Sequence, residues 1–270
     1  MRFRKGSIAL SSTRDYPLLR HVLQSGVITH NQLFELLKLD YCVSSRNAFN
    51  NRVLRLVKHG LLIRRDLPLV SGETVYSVSG MGASQLRGRG DCYVHSVSTR
   101  NSGACSGFHH SLELNDIHLA LKRTGALVYW MPENEIRSRN DLTDNGYWKY
   151  YDAVVAVRIA GQDCKFALEY ERSPKANRHY ASIQQRIEQE TSVAHFLYLV
   201  PNYDLLGQLA EKLSRCKRAV YIGLFHDFLE QTLALTVWST GSPVTVTLAS
   251  VLSPGKEPQR PGSLFSAIAV

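Results

Sequence analysis

The stretch from Asp152 to Glu171, DAVVAVRIAGQDCKFALEYE, decides how the larger part of the chain folds. Two apolar runs flank Ala160-Gly161, which reads as the two-residue turn of a β-hairpin. With Ile159 facing Gln162, antiparallel pairing sets Asp152 directly opposite Glu169. Side chains so placed share a face, with Cβ atoms about 5 Å apart. Glu171, two residues on, points the same way because side chains alternate along a strand. Three carboxylates therefore meet at one end of the hairpin, while Val155, Val157, Phe166 and Leu168 give the other face to a core. Crowded carboxylates repel one another unless a cation intervenes, either a divalent metal or Lys and Arg side chains.

Outward from the hairpin, Ser173 can cap and Pro174 begin a helix whose buried stripe is Ala176, Tyr180, Ile183 and Ile187. A strand over 193–200, a helix over 205–216 and a strand over 219–225 follow. Before the hairpin come an amphipathic helix over 110–124, a strand over 127–131 and a polar loop over 141–148. Alternating residues in 233–238 and 244–248 suggest a last hairpin. This order predicts a mixed-sheet α/β domain over 108–252, followed by a flexible Pro/Gly-rich tail over 253–270.

Residues 13–86 read differently. A helix over 15–25 carries Leu18, Leu19, Val22 and Leu23 on one stripe, and a second opens at Thr29 or His30. A third, capped by Ser44 or Ser45 and ending near His59, buries Phe49, Val53, Leu56 and Val57. Strands over 61–65 and 74–78 complete the order of a winged helix-turn-helix, an α+β module. Arg46, Asn47, Asn50, Asn51 and Arg55 on the third helix suit a DNA groove, since Arg pairs with guanine edges and Asn with adenine. Arg64 and Arg65 belong to the wing, beside the backbone. Modules of this shape also bind proteins, but the Arg and Asn clustering points to double-stranded DNA. Residues 87–107, rich in Gly and Ser, read as a linker with a short strand near 92–97.

Charge supports the division. Residues 1–110 hold 15 Lys and Arg against 6 Asp and Glu, whereas residues 111–270 hold 17 of each, so the net +9 belongs wholly to the first part. A polyanion-binding module joined to a neutral domain has this distribution. With 44% hydrophobic and 20% charged residues in 270, the chain has the composition of a folded protein rather than a disordered one. No apolar run reaches the roughly 20 residues that span a bilayer, so no membrane partner is expected. Five scattered cysteines without a C-x-x-C pair fit a reducing cytoplasm and no structural zinc. Adjacent His109 and His110 would face opposite sides of a strand, which does not suit a three-histidine metal site with His118.

An Asp at the start of one strand, an acid-x-acid at the end of its partner and then a helix resemble the PD-(D/E)XK restriction-endonuclease fold. Adding the N-terminal module, Tyr76-Ser-Val-Ser-Gly-Met-Gly82, His110-Ser-Leu-Glu-Leu-Asn-Asp116 and Glu169-Tyr-Glu-Arg-Ser-Pro-Lys175, the chain is similar to the replication-relaxation family, which includes MobC-type plasmid relaxases. The resemblance covers about residues 15–225. It implies a metal-dependent endonuclease or relaxase that nicks DNA at a plasmid or mobile-element origin, working with other mobilisation or replication proteins. Asp152 then matches the central metal-binding Asp, Glu169 the acid of the (D/E)-x-K element, and Glu113 the auxiliary Glu of some members.

The departure is Glu171, which stands where many such nucleases have lysine. Either Lys175, one turn into the next helix, supplies that charge, or Glu171 is a third metal ligand. On this reading Asp152 and Glu169, with Glu171 or Glu113, hold Mg²⁺ or Mn²⁺, and Lys175 or Arg178 steadies the scissile phosphate. Failing both, the acids pair with Arg172, Lys175 and Arg178, and the chain is a non-catalytic DNA-binding regulator or accessory protein with a degenerate nuclease domain. Tyr147, Tyr150, Tyr151 and Tyr170 leave a covalent tyrosine route open.

Overall fold

The computed structural model describes residues 8–66, 73–90, 105–144, 146–240 and 244–253. Helix α1 (Asp15–Ser25) buries Leu18, Leu19, Val22 and Leu23, and strand β1 (Ile28–Thr29) follows it. Thr29 then opens α2 (His30–Leu39) with a capping box, its hydroxyl accepting from Gln32 N while the Gln32 side chain accepts from Thr29 N. Ser45 caps α3 (Arg46–Lys58), whose buried face is Phe49, Val53 and Leu56. Strands β2 (Leu62–Asp66) and β3 (Thr74–Val78) pair antiparallel and, with β1, form a three-stranded sheet in the order β1-β3-β2. Fully burying each large aliphatic residue of this core contributes about 1.5–3 kcal/mol.

Three further helices belong to the same compact unit, which runs to Arg123 and takes in Asn134–Asn145. The first, α4 (Gly80–Arg87), was not foreseen, because Gly80 and Gly82 look like turn residues. Gly82 has a packing reason instead: a Cβ there would lie 2.3 Å from the Leu61 carbonyl oxygen. Helix α5 (Cys105–Arg123) is fastened to α2. Gln32 Nε2 donates to Leu112 O at 2.9 Å and to Asp116 at 2.7 Å, and Lys122 meets Asp40 at 2.6 Å. Helix α6 (Glu133–Leu142) replaces the start of the expected polar loop, and Asn134 Nδ2 reaches Leu23 O at 2.9 Å. Compactness thus groups α5 with the first unit, where the sequence boundary at 108 had put it in the second domain. The polar side chains that hydrogen-bond across α2 and α5 leave no periodic signal.

The second unit, Thr124–Glu133 with Gly146–Val270, is a mixed α/β layer around seven strands. They are β4 (Leu127–Pro132), β5 (Ala153–Ile159), β6 (Gln162–Tyr170), β7 (His195–Val200), β8 (Val220–Leu224), β9 (Thr236–Ser239) and β10 (Thr245–Thr247). They lie in the order β10-β9-β8-β7-β6-β5-β4, with β6-β7 and β7-β8 parallel and the other pairs antiparallel. The parallel crossovers are α7 (Asn177–Gln189) and α8 (Tyr203–Leu213); of the short helices, α9 (Phe225–Gln231) packs against β7 and β8, and α10 (Leu248–Leu252) against β10 and β6. Every residue of β8 and the first five of β5 are buried, as in a sheet covered on both faces.

Ser173-Pro174 does not start α7. The helix begins at Asn177 after Ala176 in an extended conformation, so Ala176 is exposed and Lys175 lies in the connection before it. The Tyr180 hydroxyl accepts from Lys175 N at 3.0 Å, the bond that holds this connection in place of a helical turn. The expected strand near 92–97, most of the linker and the tail beyond Ser253 fall outside the described residues. Among the described residues, no helix is long and apolar enough to cross a membrane.

Gly82→Ala should destabilise the chain by about 1–3 kcal/mol, since backbone carbonyls cannot swing aside as side chains do. Gly88→Ala, whose added methyl meets nothing nearer than 3.6 Å, should be close to neutral. Urea midpoints of the two variants check the difference; equal midpoints would contradict the packing role given to Gly82.

Candidate functional site

The β5–β6 hairpin is built in the register the sequence implied. Ala160 and Gly161 adopt φ of 49° and 80°, the two left-handed positions of a tight hairpin turn. Pairing runs from Ile159↔Gln162 to Ala153↔Leu168, and one more step sets Asp152 across from Glu169. On the other side, the parallel ladder aligns Glu169 with Tyr198 of β7. Asp152, Glu169 and Tyr198 thus occupy one row across three strands.

Each carboxylate is held by a different group. Asp152 Oδ2 accepts from Tyr170 N at 2.7 Å. Glu169 Oε1 receives the Lys149 ammonium, whose side chain is only 11% exposed and lies over the Tyr151 ring. Glu171 Oε2 receives Lys175 Nζ at 2.5 Å, and Glu171 N prolongs the sheet by donating to Leu199 O at 2.9 Å. Glu169 and Glu171 are both buried. Beneath them Glu190, also buried, accepts from Trp148 N, the Tyr151 hydroxyl and Ser192 N. This anchors the irregular segment that brings Lys149 in.

Burial pushes the Glu169 carboxyl up to about 7, and the negative Asp152 adds to it, while Lys149 and Lys175 pull against them. For Lys175, burial lowers the pKa, yet Glu171, Glu169 and Asp152 together hold the ammonium above its usual range. Burial also raises the phenols of Tyr151 and Tyr198, with Glu190 and Glu169 adding at Tyr151 and Glu169 at Tyr198. The Tyr198 hydroxyl is fully enclosed and meets no hydrogen-bond partner among the described residues. Tyr147, Tyr151 and Tyr170 are buried, which removes them as nucleophiles toward a DNA strand; Tyr150 is exposed.

Among the described residues, no three His, Cys, Asp or Glu side chains gather at one metal position. Glu171 is paired with Lys175, as Glu169 is with Lys149. Asp152 and Glu169 present hard carboxylate oxygens on facing positions, donors of the kind that could hold Mg²⁺ or Mn²⁺, ions bound by one or two carboxylates plus water and substrate oxygens. Glu113 lies on α5 in the first unit, and Arg178 is exposed on α7. Lys149 escaped sequence reading: it sits in an irregular stretch, where no periodicity assigns a direction to a side chain.

In the first unit, the α3 residues divide into two groups. Asn47 and Asn51 are exposed, and Arg46 is exposed with its guanidinium 4.4 Å from the Phe34 ring centre and bonded to Asn31. Asn50 instead accepts from His30 Nε2 at 2.9 Å, and His30 Nδ1 accepts from the Tyr76 hydroxyl at 3.0 Å. Arg55 is fixed to the fully buried Asp15 at 2.6 Å. Arg64 pairs with Asp66 at 3.2 Å on the β2–β3 ribbon, and Arg65 lies over the Phe108 ring. Asn50 and Arg55 thus brace the unit, whereas Arg46, Asn47 and Asn51 form its outward polar face.

No protein-family profile and no curated protein matches the chain at a significant level. Among solved structures it is similar to restriction endonuclease FokI bound to DNA, at 12% identity and a TM-score of 0.26, over 83% of this chain and 45% of that one. The chain spans less than half the length of that protein.

A buried acid raised in this way makes stability fall with rising pH. Below about 4.5 both folded and unfolded states hold the Glu169 proton; between 4.5 and about 7 only the folded state does, and stability declines until both are ionised. In metal-free protein, Glu169→Gln should flatten the decline across that window, read as urea midpoint against pH. An unchanged slope would assign the decline to other groups.

Proposed function

We propose that the chain is a DNA-binding protein whose second unit hydrolyses a phosphodiester bond with the help of Mg²⁺ or Mn²⁺. The observation that carries the reading is the pairing of Asp152 with Glu169 at one end of a hairpin, with two lysines alongside. Asp152 and Glu169 would hold the cation, which when bound supplies water activation and charge stabilisation at the phosphate. Lys175, partly exposed, is the residue able to meet a phosphate oxygen while paired with Glu171. Lys149 offsets part of the cost of ionising the Glu169 carboxyl and orients it. A Glu169 proton retained up to about 7 must leave before a cation can bind, so activity should rise through neutral pH.

The first unit is the DNA-selecting module in this proposal, a winged helix over 13–86 with α3 entering the major groove and β2–β3 as the wing. Three helices, a strand order of β1-β3-β2 and the outward Arg46, Asn47 and Asn51 support it. The motif resemblance supports nicking at a plasmid or mobile-element origin, in company with other mobilisation or replication proteins. A second reading has its own observation: Glu169 and Glu171 each already pair with a lysine, as they would in a DNA-binding regulator without catalysis.

Nicking of a supercoiled plasmid that carries the protein's own origin region separates the two. With Mg²⁺ or Mn²⁺ the wild type should produce open circles, and Asp152→Ala and Glu169→Ala should each slow this by at least about 100-fold, some 3 kcal/mol of transition-state stabilisation. DNA affinity should stay near wild type in both variants. A folded, DNA-binding wild type that makes no open circles would support the regulator reading.

A further inference from the structure

The α1–α3 side of the first unit carries a groove of about 600 Å³, lined by Ser11, Thr13, Arg14, Asn51, Arg52 and Arg55 around Asp15. The charges in it do not balance. Asp15 is fully buried and already committed: Oδ2 accepts from Ser11 N at 2.7 Å and from Arg55 at 2.6 Å, and Oδ1 meets Arg52 at 3.4 Å. One carboxylate therefore serves two guanidinium groups, with a third, that of Arg14, lining the same groove. The Arg14 side chain, exposed beside it, makes no hydrogen bond or ion pair among the described residues. Burial lowers the Arg52 pKa, and the positive Arg14 and Arg55 lower it further against the single carboxylate of Asp15.

Repulsion of this kind is relieved by an anion, and the remaining donors specify which sort. Ser11 Oγ and Thr13 Oγ1 lie 3.3 Å apart at the rim, and the Asn51 amide faces the same groove. Guanidinium forks with hydroxyl and amide donors are the chemistry that binds phosphate oxygens. Apolar small molecules are poorly served by such a lining.

We propose that this groove is a phosphate-binding site in which Arg14 and Arg52 hold a tetrahedral oxyanion against Ser11 and Thr13. The backbone of duplex DNA is its source, because Asn51, Arg52 and Arg55 lie on α3; that choice of source rests on the DNA-binding reading above, while the anion site itself does not. Arg14 and Arg52 then add a backbone contact beyond the α3 residues that face outward.

The test uses the full chain and Arg14→Ala, with Arg14→Lys as the charge-conserving control; Arg14 is exposed, so both variants should fold. Binding of a random-sequence duplex is followed by fluorescence anisotropy between 50 and 200 mM salt, and inorganic phosphate is assayed by its shift of the melting temperature. Arg14→Ala should weaken DNA binding by about 5–10-fold and reduce the salt slope by about 1, with partial recovery in Arg14→Lys. It should also lose the phosphate-induced shift. If the wild type binds no DNA yet shows a phosphate shift that Arg14→Ala removes, the site stands as one for a free anion and the DNA reading falls. If Arg14→Ala matches the wild type in both assays, or the wild type responds to neither DNA nor phosphate, the proposal is overturned.

Discussion

A carboxylate 5% exposed inside a seven-stranded sheet is costly to ionise, and the surroundings of Glu169 are arranged around that cost. The hairpin register brings Asp152 close, which raises the cost further, while Lys149 and Lys175 offset part of it. Glu190 ties down Trp148, Tyr151 and Ser192, and so fixes the segment that delivers Lys149. Removing one partner of such a buried pair costs far more than a surface ion pair contributes, because the survivor is left unpaired in a poor solvent for charge. Retention of the Glu169 proton up to about pH 7 is the consequence.

The first unit repeats the principle with the sign reversed. Asp15, fully buried, anchors α3 to α1 through Arg55 and Arg52, and the local excess is positive. One unit thus gathers carboxylates at a strand end, and the other gathers guanidinium groups in a groove. On the proposals above, the first would take a cation and the second a phosphate.

Much of this was legible from the chain. Ala160-Gly161 set the hairpin register, and with it the facing of Asp152 and Glu169, because a two-residue turn leaves no freedom in the pairing. Thr29 and Ser45 marked helix starts through their hydroxyls, and the four apolar residues of α1 fell on one buried stripe. What sequence could not convey were contacts that depend on irregular backbone or distant partners. Lys149 lies in such a segment, Gly82 reads as a turn until the Leu61 carbonyl is seen against it, and Ser173-Pro174 looks like a helix start until Tyr180 claims the Lys175 amide. Asn50 and Arg55 look identical in kind to Asn51 and Arg46 on α3; their bracing roles follow only from His30 and Asp15.

In the proposed function, Asp152 and Glu169 together hold a divalent cation at an end of this sheet. Titration of Mn²⁺ into the full chain near pH 7.5, followed by loss of the free-ion electron paramagnetic resonance signal, tests it directly. One Mn²⁺ should bind per chain, be displaced by Mg²⁺ and be lost in both Asp152→Asn and Glu169→Gln. Equal Mn²⁺ uptake by the wild type and both variants, or none by a folded wild type, would contradict it.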